Sequence, residues 1–164
     1  MKNERFFRAY NALVDAYINN TLNAMDCTMC AVGNIVGAAC GKKPSTDSGN
    51  YWSDGSLTEW PNVRTVIGLL TNNDHRIKNA MHEIEPTGYS AEQIVKIEEI
   101  FMDTIDAIID EAGTWSMQYK ENPSLIDHSP ALYAVVDYLY SLEDWDSDNT
   151  EAKEALNYFK ACEA

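Results

Sequence analysis

The sequence is short of basic charge. Its 12 Lys and Arg face 26 Asp and Glu, for a formal net charge of −14. A phosphate backbone needs cationic neutralisation, so direct binding to nucleic acid is not expected. Long apolar runs are also missing. No stretch approaches the ~20 consecutive apolar residues that span a bilayer, so no membrane is expected as a partner. The opening "MKNERFFRAYNALVDAY" breaks its apolar positions with charges. It has no uninterrupted apolar core of the kind a signal peptide carries, and a cytoplasmic protein is expected. There is no period-two strand pattern and no internal repeat. A phosphate loop fails on register. Gly41-Lys42 would need a glycine where Val36 stands, and a Ser or Thr where Lys43 stands.

What is present is a chain that can bury a core. Hydrophobic residues make up 45% of 164 positions, which suits one globular domain, residues 1–164. The charge is unevenly placed. Residues 1–80 carry eight Lys/Arg against seven Asp/Glu, and residues 81–164 carry four against nineteen. The acidic C-terminal half suits a basic partner surface, a divalent cation, or simple solubility.

Helical periodicity runs through the sequence. Phe6, Tyr10, Leu13, Val14, Tyr17 and Ile18 form one apolar stripe, which predicts a helix over 4–22. Asp26 is a plausible N-cap for a second helix that runs from Cys27 to Ala39, with Gly41 closing it. Residues 42–60 read as a loop. A helix from Pro61 would bury Val63, Val66, Ile67 and Leu70. Asp74 would cap another over 75–84, buried through Ile77, Ala80, Met81 and Ile84. The clearest helix follows Ser90, which forms a capping box with Gln93. Ile94, Ile97, Phe101, Ile105 and Ile108 supply its core face, and Gly113 ends it. Ser129 and Pro130 open a further helix. The last, near 150–162, would be capped by Asp148 or Thr150 and buried through Ala152, Ala155, Leu156 and Phe159. The expected fold is a compact all-α bundle of six or seven helices.

Two segments, "CTMCAVGNIV" and "GYSAEQIVKIEEIF", stand out. Together they resemble a set of small bacterial and phage proteins that share C-x-x-C-A-V-G-N and, later, G-Y-S-x-x-x-[LI]-x-x-I-E-x-x-F. The matching positions are Cys27, Cys30, Ala31, Val32, Gly33 and Asn34, then Gly88, Tyr89, Ser90, Ile97, Glu98 and Phe101. The match covers roughly residues 5–36 and 86–105. No function is established for that set, so the resemblance implies relatives and not an activity. Some members are labelled as a subunit of a sodium-translocating NADH–quinone reductase. The residues here do not support that, because Cys27-x2-Cys30-x9-Cys40 is not a plant-type iron–sulfur spacing.

Three readings stay open for Cys27 and Cys30. Both could be small buried hydrophobes packing a helix. On one helix face they could supply two of the four ligands of a zinc site. The others would come from Cys40, Cys162, His75, His82, His128 or a carboxylate. They could also form a redox pair, with the helix dipole lowering the Cys27 pKa. Gly33, Gly37 and Gly41 recur every fourth residue and would let another helix approach closely. In "DWDSDNTEAKEA", Asp144, Asp146 and Asp148 begin like an EF-hand loop. Asn149 stands where Gly is required, and Ala155 stands where the bidentate Glu is required.

Glu92, Glu99, Asp103, Asp106 and Asp110 make an acidic stripe along the 90–112 helix. Like charges at these spacings cost helix stability, which raises the question of what the stripe is for. The functional reading is a surface that docks on a basic protein or mimics DNA phosphates. Trp52, Trp60, Trp115 and Trp145 fall at loops or helix edges, where a partner could bury them. The expectation is a small acidic interaction module, a phage or mobile-element accessory factor, with a metal-binding or thiol-redox protein as the alternative. No Ser or Cys is placed beside a His and a carboxylate in a way that names a catalytic site.

Overall fold

The computed structural model describes residues 3–45, 50–65 and 75–163. Seven α-helices lie among them: α1 Glu4–Ile18, α2 Ala31–Cys40, α3 His75–Ile84, α4 Ala91–Ala112, α5 Ser116–Glu121, α6 Ser129–Ser141 and α7 Thr150–Cys162. Short 3-10 turns occupy Trp60–Thr65, Glu85–Thr87 and Pro123–Leu125. The all-α bundle expected from periodicity is the fold, with no strand among the described residues. Two isolated bridges, Pro44 with Trp52 and Tyr51 with Leu57, order part of the 42–60 loop. Val66, Ile67, Leu70 and the Asp74 cap lie outside the described residues.

Helix α1 stops at Ile18, short of the expected 22. Asn20 adopts a left-handed conformation at φ 55, which Asn tolerates better than most residues. The Thr21 amide then donates back to the Ala16 carbonyl, and Leu22 turns into the core. Helix α2 also differs from the periodic reading. Residues 26–30 form turns and not a first helical turn. Asp26 Oδ1 accepts from the Thr28 amide at 2.8 Å and from the Thr28 hydroxyl at 2.7 Å. That local competition for Asp oxygen delays the helix by four residues. Cys30 becomes the N-cap, with ψ 179 and its Sγ accepting from the Gly33 amide at 3.3 Å.

Two helices form the interior. Helix α2 buries Ala31, Val32, Gly33, Ile35, Val36 and Gly37, and it touches α1, α3, α4 and the 85–87 turn. Helix α6 buries Ala131, Leu132, Val135, Val136 and Leu139, and it packs on α1, α4 and α7. The small residues of α2 do not serve helix-on-helix approach alone, as the spacing suggested. A Cβ on Gly33 would lie 2.4 Å from the Cys27 carbonyl oxygen. One on Gly37 would lie 2.9 Å from the Lys42 carbonyl oxygen and 3.2 Å from the Trp52 ring. The chain's own entry turn and the Trp52 indole fill that space.

The α4 capping box forms as expected. The Gln93 amide donates to Ser90 Oγ and the Ser90 amide donates to Gln93 Oε1. Gly113 closes the helix at φ 68. At α6 the side chain that caps is Asp127, which accepts from the Ser129 amide and hydroxyl. At α7 it is Asn149, whose Oδ1 accepts from the Ala152 amide, rather than Asp148 or Thr150. Helix α5 is not expected from the sequence, because six residues carry too little periodicity to announce a helix.

Arginines from α1 tie the ends of the chain together. Arg5 pairs with Glu143 at 2.6 Å, donates to the Gly88 carbonyl at 2.7 Å and lies 4.7 Å from the Tyr89 ring centroid. Arg8 donates to the Pro86 and Thr87 carbonyls. An aromatic cluster of Phe6, Phe7, Tyr140 and Trp145 packs beside them.

Gly33→Ala is expected to destabilise the protein by about 3 kcal/mol, because the added methyl meets backbone that cannot swing away. Urea unfolding followed by far-UV circular dichroism measures this. A change within ~0.5 kcal/mol would show that the 27–33 contact is not as close as described.

Candidate functional site

Cys27 and Cys30 do not share a helix face. Cys27 lies in the turn that precedes α2, and its carbonyl accepts from Trp60 Nε1 at 2.9 Å. Cys30 is buried, and its sulfur is occupied as the helix cap. Burial pushes the Cys30 thiol pKa up to about 12, with Cys27 and Glu98 adding to the rise against the lowering effect of the Gly33 amide. A nucleophilic or metal-bound sulfur must shed its proton, and this site holds the proton on.

The side chain of His75 lies outside the described residues, and the remaining candidate ligands lie away from the pair. Cys40 donates to the Glu83 carbonyl at 3.3 Å. Cys162 sits by the hydroxyls of Tyr17 and Tyr158. His82 is exposed on α3. Among the described residues no three His, Cys, Asp or Glu side chains gather as a metal would require. None of the four cysteines is in a disulfide.

Three buried polar features stand out in the structure. Glu98 lies on the core side of α4, four residues after Ile94 and three before Phe101. That register is readable in the sequence. Glu83 on α3 is buried too, and its Oε1 accepts from the Glu59 amide. Burial raises its pKa, against the lowering effect of that amide and of Lys42. Tyr119 and His128 form a buried pair, Oη to Nε2, at 2.8 Å. The Ala24 amide donates to the same Tyr119 oxygen at 2.8 Å. Nothing in the spacing of Tyr119 and His128 announces this contact.

The acidic stripe stands where the periodicity placed it. Glu92, Glu99, Asp103, Asp106 and Asp110 are all exposed on α4, while Ile94, Ile97, Phe101, Ile105 and Ile109 face the core. Lys96 is exposed between Glu92 and Glu99, and is a basic interruption in an otherwise acidic edge. From Glu92 to Asp110 the edge is ~27 Å long. Beyond Gly113 the chain presents Trp115, 76% exposed, and Met117, 62% exposed.

The other tryptophans are not partner surface. Trp52 and Trp60 are core residues at 1% and 0% exposure, and Trp145 is half-buried, stacked on Tyr140. Loop composition concealed them because each is carried inward from a segment rich in turn residues. Among the described residues no helix is long and apolar enough to cross a membrane. Comparison of the chain with protein-family models, with curated proteins and with solved structures finds no match.

The cysteine environments set an order of reactivity. Alkylation at mildly alkaline pH, mapped by mass spectrometry, should label Cys30 last and only on opening of the fold, because its thiol is both buried and raised in pKa. Labelling of Cys30 at the rate of an exposed thiol would contradict this.

His128 makes stability depend on pH. Burial lowers its pKa from 6.5 to about 4, so between those values the unfolded chain binds the proton that the folded chain refuses. The His128 contribution is complete above pH ~6.5 and fades as pH falls towards ~4. Relative to His128→Gln, the wild type should lose about 2–3 kcal/mol between neutral pH and pH ~4.5. Parallel urea titrations of both proteins test it, and identical pH profiles would refute it.

Proposed function

We propose that this is a cytoplasmic protein-interaction module whose α4 edge docks on the basic surface of a protein partner. The observation that carries the reading is the run of exposed carboxylates along one side of a single helix, followed in the chain by exposed apolar residues. Five carboxylates line the outer side of α4, and the chain leaves that helix directly into exposed Trp115 and Met117. Charged edges steer association and set its rate. Aromatic anchors that become buried on association supply much of the contact energy.

The alternatives fit less well. A merely solvated helix face needs no large exposed apolar residues beside it. The thiol reading loses half of its pair, because the Cys30 sulfur is buried, serves as the α2 cap and is held protonated. The small size and acidic balance suit an accessory factor of a phage or mobile element that occupies a basic site on a host protein.

The test uses three baits: the wild type, the triple variant Glu99→Lys/Asp103→Lys/Asp106→Lys, and Trp115→Ala. A protein retained by the wild type is purified, whatever the other baits retain, and is measured against all three across a salt series. Binary affinity should fall steeply with salt. It should drop by about tenfold or more in the triple variant, mostly through slower association. In Trp115→Ala it should drop through faster dissociation. Binding that is indifferent to both variants at low salt would sink the proposal. All the substituted side chains are exposed, so folding should be unchanged in each bait.

A further inference from the structure

We propose that the recess between the C-terminal end of α1 and the start of α6 is a binding site for a small amphipathic amine. The recess has a volume of about 390 Å³, within the range of small-molecule sites. Ala16, Ile18, Leu22 and Ile126 give it apolar walls, and Tyr17, Asn20, Asp127 and His128 supply its polar groups. Its rim is held by the Asn20 side chain, which donates to Ser124 Oγ at 2.8 Å.

The polar chemistry of the recess follows from the buried pair behind it. Tyr119 is fully buried, and its oxygen already accepts from the Ala24 amide. We assign its own proton to His128 Nε2, 2.8 Å away, the side-chain acceptor found beside it among the described residues. A neutral imidazole with Nε2 accepting carries its proton on Nδ1. No hydrogen bond from Nδ1 to a described residue is found, and His128 forms part of the recess wall, so this donor is left to water. A ligand oxygen there takes the place of that water and fixes the ligand's orientation.

The charge of the ligand follows from Asp127. It is exposed at the recess, in a chain of net charge −14. The amide of Ser129 at the start of α6, which could otherwise have drawn an anion, already donates to Asp127 Oδ1. An anion entering here meets a carboxylate at the mouth and a neutral imidazole inside. A primary ammonium meets a counter-charge, apolar walls suit an aryl or alkyl body, and a hydroxyl or carbonyl oxygen suits the Nδ1–H.

The test is a matched pair of probes, tyramine and 4-hydroxyphenylacetate, which share ring and phenol and differ in the sign of the charged end. Each is titrated into the 15N-labelled protein at neutral pH and constant ionic strength. Tyramine should give saturable shifts centred on the amides of Leu22, Ile126, Asp127 and His128, and the acid should give none at the same concentrations. Asp127→Asn keeps an acceptor for the Ser129 amide and should weaken tyramine about tenfold. Ile18→Lys, at a residue 65% exposed, sets an ammonium at the mouth and should weaken it similarly without disturbing the fold.

Three results would overturn the proposal. One is no saturable shift with tyramine up to ~10 mM, the weak limit for a ligand of this size. The second is equal binding of the acid. The third is tyramine binding unaffected by both variants.

Discussion

The contact on which the structure turns is the seating of Gly33 against the carbonyl of Cys27 and the backbone of Thr28. Only hydrogen fits between them. Because that space is closed, the 26–30 turn lies flat on the first turn of α2, and Cys30 reaches the Gly33 amide as a cap. The Cys27 carbonyl is then presented to Trp60 Nε1, which draws the second half of the 42–65 region into the core. Gly37, one turn further along, admits the Trp52 ring. A helix of ten residues thereby collects contacts with α1, α3 and α4 that a helix with larger side chains on this flank could not make. The C-x-x-C segment is read most directly as the hinge of this arrangement. Its cysteines serve as a cap and as a tightly placed carbonyl.

The same packing explains the outward charge. Arg5 and Arg8, two of the few basic residues, are engaged on Glu143 and on the carbonyls of residues 86–88. Lys42 donates to Ser56 Oγ. Those cations hold the fold together and are not displayed opposite the acidic residues of α4. The stripe faces solvent, with Lys96 the basic residue within it. The result is a polyanionic edge on one helix, with Trp115 and Met117 following it in exposed positions. The carboxyls of Glu83 and Glu98 are the opposite case. They sit inside, where desolvation makes them costly and where they feel Lys42 and Cys30 respectively.

Much of the architecture is legible in the order of the residues. The three- and four-residue spacing of Ile94, Ile97, Phe101 and Ile105 fixes which side of α4 is buried, and so which side carries Glu99, Asp103 and Asp106. Ser90, Gln93 and Gly113 mark its ends through local hydrogen bonds and φ preference, which involve only neighbouring residues. Where periodicity and the fold part company, competing local chemistry is the cause. Asp26 turns its side chain to Thr28 and moves the start of α2, and Asn20 takes a left-handed conformation that ends α1 early.

By itself, then, the amino-acid sequence determined the all-α class, the register of the long helices and the acidic edge. Periodicity, capping and charge act over a few residues and are written in order along the chain. The tertiary structure alone decided which tryptophans are core and which is surface, that Cys30 is a cap, and that Tyr119 meets His128 beside an apolar recess. Those outcomes depend on where distant segments come to rest, and that is set by the summed packing of the whole core rather than by any local preference.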